Sequence, residues 1–282
     1  MRIETLEGNL RDTYKQLEPD SMRSALHLMR ERRLHPDDDI RADLRENFFY
    51  TSDGIIYFVE SGEPKVCITP RSHNLVLKHL DEAVHQFFTN ENYFPAAAEI
   101  KEAIHARDSK VLDLNQLRLQ KYTDETSYLI VSTVNYGRLN PIERRLVGGV
   151  FSDGIALVEN MKMLRDNGIT ETQIYLLNPA YVCKHAKAGA IARVSSLSNF
   201  NDSSCFSAAD RYPLEIGHIR GVLRTITEQE TSPSTVPENT ISLVPERSDP
   251  NQSLTQSVHD QKSLEWARKL LDGTAGGTVL DY

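Results

Sequence analysis

The residues best suited to metal chemistry occur as two copies of one pattern, "EAVH" from Glu82 to His85 and "EAIH" from Glu102 to His105. Glu-x-x-His spacing puts a carboxylate and an imidazole on one helix face, as a di-metal carboxylate bundle asks of two of its helices. Such a site also needs a Glu from each of two further helices, and it separates the motif helices by another. Here the motif segments are consecutive and short. They read as two solvated helix faces, so no metal and no cofactor is expected.

The other reactive residues are equally incomplete. "YVCKH" sets Cys183 and His185 one residue apart. On a strand they would share a face, but no second Cys/His pair completes a zinc set. Cys205 invites a nucleophile reading with His218 or His185 as base, yet nothing in the spacing specifies the pair. "GGVFSDG", Gly148 to Gly154, precedes a helix and offers backbone amides to a phosphate. It lacks the Lys-Ser/Thr ending of a P-loop and the spacing of a dinucleotide fingerprint, so a flexible helix entry is expected. Arg30, Arg32 and Arg33 in "RERR" fit a solvated face better than a nucleic-acid contact, because no nucleic-acid-binding motif accompanies them.

The polar stretch "SSLSNFNDSSCFSAADR", Ser195 to Arg211, shows neither helical nor strand periodicity. A loop of that length in a compact domain is usually functional or disordered. Phe200, Phe206 and Tyr212 recur every six residues, as aromatic anchors onto a core would. Ligands of parallel sheets bind beyond the carboxyl ends of the strands. If the strands ending in "STVNYGR" and "LLNP" and a third in "AGAIARVSSL" all run parallel, Ser132, Asn135, Arg138 and Asn178 meet at one rim. Asp202, Asp210 and Arg211 would join them from the loop, a set suited to a polar or anionic ligand.

Whole-chain properties narrow the class. The 282 residues are 39% hydrophobic, enough for a substantial core, and carry a net charge of -8. That acidity disfavours a dominant non-specific nucleic-acid binder. Three widely spaced cysteines, Cys67, Cys183 and Cys205, argue against a disulfide framework. The start lacks an apolar signal region, and no apolar run reaches the roughly 18 residues of a membrane span. A soluble, intracellular, cytoplasmic chain is expected.

The elements that must position these groups come next. Residues 1–46 predict a helical arm, with Met22, Ala25, Leu26 and Met29 at helical spacing after a Pro19-Asp20 start. Residues 47–70 predict a short antiparallel meander cut at Asp53-Gly54 and Ser61-Gly62. Helices are expected over roughly 73–88 and 95–107. "SYLIVSTV" reads as a strand buried on both faces. A helix follows over 153–167, with Ser152 as cap, Ile155, Val158, Met161 and Leu164 inward, and Gly168 as stop. "TQIYLLNP" is the next strand, and "AGAIARVSSL" a third. Strand, helix, strand predicts a right-handed parallel unit. The expected fold is therefore α/β, with a central mainly parallel sheet and an antiparallel N-terminal β-meander over 47–226. A helical N-terminal arm precedes it and a tethered C-terminal helix follows.

Residues 227–259 are rich in proline and polar residues and read as a disordered linker. In 260–273, "QKSLEWARKLLDG" places Leu264, Trp266, Ala267, Leu270 and Leu271 on one arc of a helix, with charged residues opposite. Asp260 and Gly273 suit its two ends. About a dozen residues are marginal as an isolated helix, so this one needs a surface on which to bury its apolar face. The pattern favours a non-catalytic binding or assembly protein that docks on a protein partner or its own oligomer through this helix. The alternative is an intracellular hydrolase or group-transfer enzyme with its site at the sheet rim.

Overall fold

The computed structural model describes residues 3–18, 20–34, 48–90, 92–151, 157–166, 168–186, 189–200, 203–209, 213 and 215–224. The expected linker and C-terminal helix fall outside them, as do Ser152 and Ile155.

The N-terminal stretch starts with a strand where a helical arm is expected. β1 (Ile3–Asn9) pairs antiparallel with β10 (Ile216–Val222), in register from Ile3↔Val222 to Asn9↔Ile216. Asn9 ends the strand and caps α1 (Leu10–Tyr14), its side-chain oxygen accepting the Asp12 N–H at 2.9 Å. Helix α2 (Ala25–Leu34) buries Ala25, Leu26, Leu28 and Met29, close to the face its spacing predicts. These residues thus belong to the main sheet and its core.

β2 (Phe48–Glu60) and β3 (Glu63–Thr69) form an antiparallel hairpin. Ser61 and Gly62, at φ of 53° and 85°, make its tight turn, as the sequence predicts. Asp53-Gly54 does not turn the chain. It sits inside the thirteen-residue β2, where the register with β8 (Ile191–Phe200) shifts between Thr51 and Ile55. This is a β-bulge, not a hairpin turn. Gly54 packs against Thr69 Oγ1 and the Asn74 backbone so closely that a Cβ would collide with both.

A 3-10 turn at Arg71–His73 leads into α3 (Leu75–Lys78), α4 (Leu80–Asn90) and α5 (Ala97–His105), near the predicted helices. β4 (Lys110–Asp113) pairs with β3, and β5 (Gln120–Lys121) with β6 (Thr126–Ser132). Before β5, Arg118 grips the fully buried Glu143 through Nε to Oε1 at 2.7 Å and Nη2 to Oε2 at 2.5 Å. The guanidinium holds the Glu143 carboxyl below its usual range, with help from the Asn140 and Arg118 backbone N–H groups.

The expected parallel unit is not there. Between β6 and β7 (Glu171–Leu177) lie two helices, α6 (Pro141–Phe151) and α7 (Leu157–Asp166). One helix returns the chain to the end where a strand began, and that gives a parallel partner. A second helix carries it back again, so β7 runs antiparallel to β6, from Thr126↔Leu177 to Ser132↔Glu171. The predicted 153–167 helix is the second of these, with Met161 and Leu164 fully buried.

Helix α8 (Pro179–His185), β8 and β9 (Ser203–Ser207) complete the order. The sheet runs β1-β10-β2-β8-β9-β7-β6-β5, with β3 and β4 branching from β2. Only two of its strand pairings are parallel among the described residues, β10 with β2 and β7 with β9. The fold is therefore a mixed, mostly antiparallel ten-stranded sheet with helices, and not a mainly parallel one.

Two apolar cores flank this sheet. The first lies under α2, α6, α7 and α8 and takes the inward residues Phe49, Leu129, Val131, Ile174, Leu197 and Phe206. The second lies under α1, α3, α4 and α5 and takes Tyr50, Ile56, Cys67, Ala192, Val194 and Ile219. Its buried members include none from β5, β6, β7 or β9. Among the described residues, the helical cover on that side stops short, and part of the sheet keeps an open face.

Candidate functional site

The antiparallel pairing of β6 with β7 disperses the predicted rim. Ser132 and Asn135 lie at the end of β6 that pairs with the start of β7, while Asn178 follows the other end of β7. Six residues of strand separate the two ends, roughly 20 Å. Asn178 is a helix cap, accepting the Ala180 N–H at 2.9 Å and donating to Ser127 Oγ at 3.2 Å. Asn135 and Arg138 are exposed around a 3-10 turn far from it. Asp202, Asp210 and Arg211 lie outside the described residues.

The stretch from Ser195 is largely strand, not loop: it ends β8, and Ser203–Ser207 form β9 alongside. Buried serines hide the pattern, Ser195, Ser196, Ser198 and Ser207 among them. Ser195 Oγ donates to the Asp53 carbonyl at 2.6 Å and lies 2.8 Å from Thr51 Oγ1. Such a strand carries no hydrophobic alternation to read.

The cysteine and histidine candidates also separate. Cys183 and His185 lie on α8, not on a strand, and the His185 ring stacks on Tyr181 at 4.2 Å. Cys205 is in register with Ser198, the neighbour of Phe48, whereas His218 is in register with Phe49. Adjacent strand positions point to opposite faces, so Cys205 and His218 lie on opposite sides of the sheet. Among the two Glu-x-x-His motifs, His85 and His105 are exposed, Glu82 accepts a bond from Gln86, and Glu102 lies 3.7 Å from His73. No group of three potential metal ligands converges among the described residues. Of the basic run, Arg30 lies on α2, and the Arg32 and Arg33 side chains are outside the description.

What the fold does assemble is aromatic. On the open face, Tyr128 of β6 stands directly across from Tyr175 of β7. Their rings lie 5.4 Å apart, and Tyr122, just past β5, sets its ring edge-on to Tyr175 at 5.4 Å and to Tyr128 at 6.4 Å. Edge-to-face geometry is what the ring quadrupoles prefer. Tyr128 Oη donates to Gln120 Oε1 at 2.8 Å, and Tyr175 Oη to Gln173 Oε1 at 2.9 Å. Ile130, the next outward residue of β6, pairs in register with Gln173. Tyr122 is 61% exposed and Ile130 37%.

This patch was detectable in part. "TQIYLL" alternates Thr172, Ile174 and Leu176 with Gln173 and Tyr175, the period of a strand buried on one face only. "SYLIV" masks the same alternation, because its outward residues, Tyr128 and Ile130, are themselves apolar or aromatic.

No family model matches this chain, and no curated protein does. A solved structure described as "Accommodation of massive sequence variation in Nanoarchaeota by the C-type lectin fold" aligns with a TM-score of 0.47 and 10% identity. The alignment covers 79% of this chain and 97% of that one. No activity of this chain follows from so distant a likeness. Among the described residues, no helix is long and apolar enough to cross a membrane.

Proposed function

We propose that this chain is a non-catalytic binding protein that engages a protein partner. The observation that supports this reading best is the cluster of Tyr122, Tyr128 and Tyr175 on the uncovered part of the sheet. Tyrosine offers a large, rigid contact area at low conformational cost, with a hydroxyl that tolerates water until a partner arrives. Aromatic residues are enriched and charged ones depleted at interface centres, and Ile130, Gln120 and Gln173 continue that composition around the rings. The C-terminal segment 260–273 is the second proposed contact, resting on its amphipathic pattern alone. The enzyme alternative loses support because Asn135 and Arg138 stand at the opposite end of the β6–β7 pair from Asn178.

The test compares the proteins recovered with the full chain, a chain ending at 226, and a Tyr122→Ser/Ile130→Ser variant. The reading expects specific recovery with the full chain, and its loss in the double variant at unchanged melting temperature. Loss at 226 as well assigns the second contact to the C-terminal segment. Undiminished recovery by the double variant removes the open face from the account.

A further inference from the structure

The bulge in β2 serves a second recess, unrelated to the tyrosine face. A hollow of about 550 Å³ opens between the start of α2, the bulge, the end of β3 and the glycine pair of α6. Asp53 lines it, its Oδ2 accepting the Ala25 N–H at 2.9 Å. The backbone that presents Asp53 is fastened by buried groups: Asn74 Nδ2 donates to the Ser52 and Asp53 carbonyls, and Ser195 Oγ donates to the latter. Burial pushes the Asp53 carboxyl above its usual range, against the hydrogen bonds that it accepts. Bulges of this kind re-aim side chains and are over-represented next to active sites.

Arg71 lines the same hollow. Its charge interacts first with Asp20 and Tyr14 on its other side and least with Asp53, and no salt bridge joins it to Asp53 among the described residues. Its Nη2 is buried and has no hydrogen-bond acceptor there. A buried guanidinium nitrogen without an acceptor is costly, and such groups call for an explanation. Lys110 and Asp108, both exposed, add one charge of each sign to the wall, while Leu26, Ile68 and Val150 line it with hydrocarbon.

We infer that this recess binds a small zwitterion with an aliphatic body, its carboxylate on Arg71 and its ammonium on Asp53. A free aliphatic α-amino acid is the simplest such molecule. A single-charge ligand would leave one of the two groups unanswered, whereas a zwitterion satisfies both and keeps the hollow neutral. The apolar wall then takes the side chain.

The test titrates the full chain with L-leucine, with isocaproate (the same skeleton without the amine) and with isoamylamine (without the carboxylate), followed by calorimetry and by amide NMR shifts. L-leucine is expected to bind and to shift amides around Asp53 and Arg71, with each single-charge analogue at least roughly tenfold weaker. Asp53→Asn and Arg71→Met should each weaken L-leucine by a similar factor. Arg71 is the less buried of the two, so its variant keeps the test open if Asp53→Asn fails to fold. Absence of L-leucine binding up to about 10 mM, an analogue that binds as tightly, or undiminished binding by a folded variant would each overturn the assignment.

Discussion

Two carboxylates of this protein, the half-buried Asp53 and the fully buried Glu143, have opposite linkage to pH. Asp53 has a folded-state pKa above its unfolded value, because burial outweighs the bonds from Ala25 and its neighbours. The folded state then holds more protons than the unfolded one across the carboxylate range, so stability falls as pH rises through it. Asn at this position keeps the cap on α2 without the charge. Asp53→Asn is therefore expected to equal the parent near pH 3 and to gain on it toward about pH 7, read from urea midpoints at several pH values. A variant that loses stability as pH rises would make the ionised carboxylate favourable instead. Glu143 behaves conversely. Its pKa is depressed, first by Arg118, so its contribution is present above the ordinary glutamate range and is lost as pH falls through the folded value. Glu143→Ala also strips acceptors from the N–H groups of Asn140 and Arg118. It should cost about 2–3 kcal/mol at neutral pH, with a smaller difference in acid, measured by denaturant unfolding.

At the scale of elements, the paired strands β6 and β7 distinguish a one-sided sheet from a two-sided one. Leu176 is fully buried and Ile130 is 37% exposed. Leu176→Asp should cost on the order of 4 kcal/mol or more, since an unpaired charge would enter the core. Ile130→Asp should cost no more than about 1 kcal/mol. Equal penalties would mean that the outer face is covered after all. These two positions also show what was legible beforehand. The helices around 73–107, the strand character of "SYLIVS" and "TQIYLL" and the turn at Ser61-Gly62 follow from local patterns, and local patterns are what a sequence displays. Strand direction does not follow from them. It depended on whether "NPIERRLVGG" formed a full helix before the predicted one, and that second crossing reversed β7. Asp53-Gly54 carries a hairpin signature, but the long-range pairing of β2 with β8 overrides it and makes a bulge. The polar strands β8 and β9 were hidden for the same reason: a buried serine such as Ser195 is satisfied by Thr51 and Asp53, more than a hundred residues away.

At the scale of the whole molecule, the buried apolar residues described run from Leu10 to Ile219, and the described members of both cores lie within that span. A chain ending at 226 should therefore unfold cooperatively, with a melting temperature within about 2 °C of the full chain in a scanning calorimeter. A larger drop would give the C-terminal segment a structural role and weaken its assignment as a partner contact. The first core takes buried residues from β6, β7 and β9, and the second takes none from those strands, so their other face lacks that cover among the described residues. The three tyrosine rings lie on the uncovered part, whereas Phe49, Tyr50, Tyr57, Phe87, Tyr93, Phe151, Tyr181 and Phe206 are buried in the interior. If that face serves only to stabilise the sheet through cross-strand pairs, no protein need approach it. The most direct measurement is site-specific photocrosslinking in living cells, with a benzophenone amino acid at position 122 and, as a control of equal exposure, at position 88 on α4. Tyr122 and Phe88 are 61% and 60% exposed, so adventitious encounters should label both alike. A discrete protein adduct at 122 that is absent at 88 is the predicted result, and no adduct at 122, or the same adducts at both positions, would contradict the proposed binding face.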